Sequence, residues 1–172
     1  ILLLSLYLFV WRNPAIDSIA ILPFVNASAD SRLEYLSDGL TESLINSLSR
    51  LPALSVMSRN SVFRYKGTVT QPQTLKRELG VKAVLLGRVM QQGDDLSISV
   101  ELVETSTNRN LWGDQFNRKV ADLPAVQEEI TRDVAEALKL QLTGEEKNRL
   151  AKPLTENSAA YQLYLNGLYH WN

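Results

Sequence analysis

Several groups of residues in this sequence have types and spacings that could do chemistry. Asp38 and Glu42 stand four apart, while Asp94–Asp95 and Glu128–Glu129 are adjacent pairs. Paired carboxylates support general acid–base catalysis when their surroundings push the two pKa values apart, and their oxygens suit hard divalent cations. The run RNSVFRYKG interleaves Arg59, Arg64 and Lys66 with Phe63 and Tyr65. That mixture can neutralise phosphates and stack bases, or it can form a protein-binding loop. His170, the sole histidine, is the remaining candidate base or ligand. Each group also has a plainer use. Asp38 can cap a helix, Asp94 and Asp95 suit a turn, and the two glutamates complement the positive end of a helix. A histidine between Tyr169 and Trp171 reads as a packing or surface residue. No triad, glycine-rich phosphate loop or cysteine metal site accompanies these groups, so the reading is of a chain with no catalytic, cofactor or metal site.

Bulk properties narrow the functional classes. Basic and acidic side chains number 18 and 19, for a formal net charge of -1. Such a balance provides no field for a polyanion, so the basic–aromatic patch Arg59, Phe63, Arg64, Tyr65, Lys66 is expected to snorkel over an apolar edge or to meet a protein partner rather than nucleic acid. Cysteine is absent, which suits an oxidising compartment. The first eleven residues, ILLLSLYLFVW, carry no charge and would rise about 16 Å as a helix, roughly half a bilayer core. They read as the end of a transmembrane helix, with Trp11 and Arg12 at the interface.

The elements that would position the candidate residues follow from periodicity. Ser18–Phe24 is a short apolar run closed near Pro23 and predicts a strand. Leu40, Leu44, Ile45, Leu48 and Leu51 share a helix face, with Ser37 or Asp38 as cap and Pro52 as stop. Leu54–Ser58 predicts a second strand, making a βαβ unit. SVFRYKGTVTQ reads as loop, and Pro72 starts a short helix that Gly80 ends. Residues 82–91 and the alternating Leu96, Ile98, Val100 and Leu102 form a hairpin about Gly93-Asp94-Asp95. Leu111–Val120 predicts another strand, with Trp112 and Phe116 on one face as core aromatics. Asp122 and Pro124 then open the longest helix, whose buried stripe includes Val126, Ile130, Val134 and Leu138, and Gly144 closes it. A charged connection leads to a final amphipathic helix from Ser158. The predicted fold class is α/β: a mixed β-sheet of about five strands with helices packed on it, in the order β-α-β-α-β-β-β-α.

The ordered segments SIAILPFVNASADSRLEYLSDGLTESLINSLSRLPALSVMSRNSVFRYKG, LKRELGVKAVLLGRV, LSISVELVETSTNRNLWGDQFNRKV and LPAVQEEITRDVAEAL resemble the TolB-like, FlgO-related amino-terminal domain of bacterial multidomain regulators. The resemblance implies a division into the end of a membrane helix (1–12), an α/β domain (16–143), a linker (144–157) and the start of a tetratricopeptide repeat region (158–172). It further implies a single-pass inner-membrane protein with this domain on the periplasmic side, held to the membrane by its N-terminal helix. The expected function is a non-catalytic sensory or scaffold domain with a protein partner and without cofactor, metal or nucleic acid. Two alternatives stand beside it: a regulatory fragment of a larger serine/threonine kinase or adenylate cyclase, and a small-ligand sensor with a closed pocket at the carboxyl ends of the strands.

Overall fold

The computed structural model of the chain describes residues 16–28, 30–138, 140, 143–150, 155 and 157–171. The apolar segment 1–12 lies outside the described residues, as do residues 151–154 and 156 of the expected linker. No described helix is long and apolar enough to cross a membrane.

The chain forms β1 (Ser18–Ile21), β2 (Val25–Asn26), α1 (Glu34–Leu48), β3 (Ser55–Val56), α2 (Arg59–Phe63), α3 (Pro72–Leu79), β4 (Ala83–Gln92), β5 (Asp95–Glu104), β6 (Asn110–Lys119), α4 (Leu123–Ala137), α5 (Gly144–Leu150) and α6 (Ser158–Trp171). The strands make a mixed sheet in the order β3-β1-β4-β5-β6, with β2 added to β4. β1 is parallel to both β3 and β4, whereas β4–β5–β6 is an antiparallel meander. The expected mixed α/β architecture is therefore the observed one.

Alternation divides the sheet into two faces. Leu85, Gly87 and Val89 of β4 and Leu96, Ile98, Val100 and Leu102 of β5 point to one side. There the apolar stripes of α1 and α4 close the core, and all of these β5 residues are buried. Leu86, Arg88, Ser99 and Glu101 point to the other side, beside Tyr65 and the Gly67–Val69 loop.

Local differences from the sequence reading have physical causes. The expected strand Ser18–Phe24 ends at Ile21, and a further strand, β2, starts beyond it at Val25. Pro23 cannot donate a ladder hydrogen bond, and the Phe24 N–H is captured by Thr41 Oγ1 of α1 at 2.9 Å. The sheet consequently has six strands rather than about five. α1 begins before Ser37 and Asp38, which lie buried inside it. A 3₁₀ turn at Ser31–Leu33, capped by Asp30, leads directly into Glu34. Part of the loop read from SVFRYKGTVTQ is the one-and-a-half-turn helix α2. Gly144 opens α5 rather than ending α4.

The break after β1 sends the Phe24 ring over the backbone of Gly87. A Cβ built at Gly87 would stand 2.3 Å from two ring carbons of Phe24, which is itself buried. Gly87→Ala is expected to cost about 1–3 kcal/mol through overpacking. Urea denaturation measures this directly, and trimming the ring with Phe24→Leu in the same chain should make the alanine far less costly.

Candidate functional site

The paired carboxylates and the basic–aromatic patch meet each other. Glu34, Asp38 and Glu42 fall at four-residue intervals on α1 and form one row. α2 and the turn after it bring the cations against that row. Lys66 Nζ lies 2.8 Å from Glu34 Oε1 and 2.6 Å from Asp38 Oδ2. Arg59 Nε donates to Glu42 Oε2 at 3.0 Å, and the Arg59 guanidinium sits 4.0 Å above the Phe63 ring. Arg64 stacks over the Tyr65 ring and donates to its hydroxyl, which in turn donates to Glu78 on α3. All five candidate residues thus make contacts within the chain. Phe63 is half-buried, and Arg64 leaves much of its surface open.

Burial shapes the electrostatics of this row. Asp38 is only 5% exposed. Desolvation raises its pKa above the ordinary carboxylate value, and the Lys66 ammonium offsets part of that rise. For Lys66, burial pushes the pKa down, but Asp38 and Glu34 outweigh it and the net shift is upward. Asp38 Oδ1 is buried without a hydrogen-bond partner. An ammonium in direct contact fills the position that a cation would need. Among the described residues no group of three or more metal-ligating side chains converges. Chemically, the row is an interlock that fastens α2 and its following turn to α1.

The other candidate groups separate. Lys119 Nζ reaches Asp95 Oδ1 across the hairpin at 2.6 Å. Arg118 approaches Glu129 at 3.7 Å, tying β6 to α4. His170 packs edge-on against Tyr169 at the exposed end of α6. Phe116 is buried and Trp112 half-buried against the core, both on the helix-covered face.

Two surfaces were not singled out from sequence. A shallow groove of about 530 Å³ runs between the open sheet face and the Gly67–Val69 loop, with Leu22, Pro23, Leu86 and Arg88 in its lining and Val25 and Val69 exposed at its rim. α6 is the second. Its inner side buries Tyr161 and Leu165 against α1, and Leu165 fits over Gly39 so closely that a Cβ there would lie 2.7 Å from Leu165 Cβ. The Tyr161 hydroxyl is shared between Ser43 Oγ at 3.1 Å and Gln127 Oε1 at 3.3 Å. Its outer side leaves Leu163 72% and Trp171 89% exposed. The lack of any Asp, Glu, Lys or Arg in SAAYQLYLNGLYHW was the signal available for this second face, since the face of an amphipathic helix turned away from the core is ordinarily charged.

Burial raises the pKa values of Tyr161 and Tyr65, and the net shift of Lys66 is also upward. The folded chain therefore keeps these protons in a range where the unfolded chain releases them. Unfolding stability should fall as pH rises from about 9 to 11. Urea titrations across that range check this, and Tyr161→Phe should flatten the fall.

The family model described as "HilA/YgeH-like transcriptional regulator, second domain" matches residues 15–133. This chain belongs to that family. The match to the HilA/YgeH-like second domain covers the whole sheet and most of α4, and stops before α6. A Rhizobium meliloti (strain 1021) protein named "Putative adenylate cyclase 3" is 39% identical over 150 residues; the match takes in 87% of this chain and 26% of that protein. The chain thus spans about a quarter of that relative. Among solved structures, TolB from Acinetobacter baumannii superposes with a TM-score of 0.54 at 18% identity, covering 71% of this chain and 28% of that one. Lipoprotein GNA1162 from Neisseria meningitidis gives 0.52 at 22% identity, covering 76% and 100%. The HilA/YgeH-like second domain has a TolB-like fold.

Proposed function

We propose that this HilA/YgeH-like second domain is a non-catalytic regulatory and protein-interaction domain within a larger signalling polypeptide. The observation that carries the reading is α6. It is charge-free, its inner side completes the α/β core, and its outer side offers Leu163, Gly167 and Trp171 at four-residue intervals. Helix-on-helix contact suits that stripe, and a tetratricopeptide repeat array following α6 would supply it. In this proposal the domain is FlgO-related, sits on the periplasmic side of the inner membrane beside a helix containing residues 1–12, and binds a protein partner. Phe63 and Arg64 of the Arg59–Lys66 segment, with the neighbouring Val69 rim, form the face open to that partner.

The test is a pull-down from native membranes with the full-length polypeptide as bait. A specific envelope protein should be recovered, and Arg64→Glu with Val69→Asp should lose it while the fold persists. Retention by that double variant would sink the assigned face. A small molecule that co-purifies and raises the melting temperature, with no protein retained, would replace the scaffold reading with a ligand sensor.

A second reading is favoured by the 39% identity to the protein named as a cyclase: the chain is the regulatory part of an enzyme whose active site lies elsewhere in the polypeptide. It predicts that Leu163→Glu with Trp171→Glu changes cyclic-nucleotide output of the full-length protein. Unchanged output would remove it.

A further inference from the structure

β6 is the long open edge of the sheet; the opposite edge, β3, is two residues long. The Val120 N–H bonds to Asp94 O, so the strand alternation turns the backbone groups of Lys119, Asn117, Gln115 and Gly113 outward. Side chains sit on these outward groups. The Gln115 N–H donates to the Asp114 carboxylate at 2.7 Å, Arg118 Nη1 donates to Asn117 O at 3.1 Å, and the Lys119 N–H donates to Asp122 at 3.2 Å.

We propose that β6 pairs antiparallel with β6 of a second copy of this chain, on a twofold axis at Phe116. In that register Gln115 and Asn117 of the two copies exchange backbone hydrogen bonds, and Gly113 faces Lys119. On the helix-covered face Phe116 stands opposite Phe116, each ring already buried in its own chain, and the contact is carried by Asp114 meeting Arg118 twice, once on each side of the axis. These last are non-hydrogen-bonded pairs, where opposed side chains come closest. Charge selects the register. An axis at Asp114 or at Arg118 sets like charges opposite each other, and an axis at Gln115 or Asn117 sets Asp114 or Arg118 against the Phe116 ring. Asp114 and Arg118, which cap Gln115 and Asn117 in the single chain, are the same two residues that pair across the axis. Association therefore exchanges the local caps on the Gln115 N–H and Asn117 O for inter-chain partners, so these two groups are satisfied in both states. The result is a reversible, continuous sheet across two copies.

The test is sedimentation equilibrium of the full chain over a wide concentration range. A monomer–dimer equilibrium is expected. Asp114→Arg and Arg118→Asp should each weaken it by about tenfold or more, and the double exchange should restore it, because charge complementarity returns with the polarity reversed. Arg118 also lies near Glu129, so monomer stability is measured alongside. That intrachain effect is common to the single Arg118→Asp chain and the double exchange, and the restoration is the decisive reading. The absence of cysteine allows a second measurement: Gln115→Cys with Asn117→Cys should yield a disulfide-linked dimer under oxidation. A monomer at every concentration without cross-linking would show that the caps merely blunt the edge, and a double exchange no better than the singles would refute the register.

Discussion

Tyr161→Ala is expected to lower unfolding stability by about 3–5 kcal/mol, since Tyr161 is the largest fully buried side chain among the described residues. The ring is 1% exposed and lies where α6 crosses α1 and α4. Removing it empties a ring-sized volume that helices locked by Leu165 over Gly39 cannot refill by collapse. It also strips a partner from a buried polar cluster in which Gln127 Nε2 donates to Ser47 Oγ and Thr131 Oγ1. Tyr161→Phe separates the two contributions. It keeps the ring and should cost about 1–2 kcal/mol, the price of a buried hydroxyl's lost hydrogen bonds. Equilibrium urea denaturation of the chain gives both numbers. A loss below about 1 kcal/mol for the alanine variant would mean that α6 is not an integral part of the core.

Lys66→Met should cost about 3 kcal/mol, because it leaves the buried Asp38 carboxylate without its counter-ion. Half of that partnership faces solvent, since the Lys66 side chain is 35% exposed, which places the loss at the low end for a broken buried pair. The pH dependence identifies the cause. Asp38 already titrates above its ordinary value through burial, and without the ammonium its pKa rises further. A carboxyl with a raised folded-state pKa contributes stability that is present at low pH and lost as pH rises through that value. The deficit of Lys66→Met relative to the parent chain should accordingly shrink on acidification. Replacing both partners, as Asp38→Leu with Lys66→Met, should recover most of the stability at neutral pH. A deficit independent of pH would mean that lost packing of the lysine stem, not the stranded charge, is responsible.

The contrast between these residues shows what was legible in the sequence. Local periodicity identified the helix carrying Leu40, Leu44 and Leu48 and the hairpin carrying Ile98 and Val100, since both patterns repeat within a few residues. The row Glu34, Asp38, Glu42 was equally open to inspection, because four-residue spacing fixes a helix face. Its occupant was not: Lys66 stands 28 positions away in sequence, and no local rule aims its ammonium at Asp38. Ser37 and Asp38 looked like caps because short polar residues favour that position, yet a preceding 3₁₀ turn moved the helix start upstream. The break at Pro23 depended on Thr41 reaching back to Phe24, and the edge position of β6 depended on strand order, both tertiary facts.

The docking of α6 also sets an order of events in folding. β4, β5 and β6 pair with near neighbours, so their loops close early at small entropic cost. Tyr161 meets Ser43 only after the chain has brought together positions 118 residues apart. During synthesis α1 emerges long before the helix that covers Gly39, and its apolar flank waits uncovered until α6 has been made. A contact of such long range is expected to form after the folding transition state, so substitutions on the inner side of α6 should act mainly on how fast the domain opens and little on how fast it forms, which unfolding and refolding rates measure.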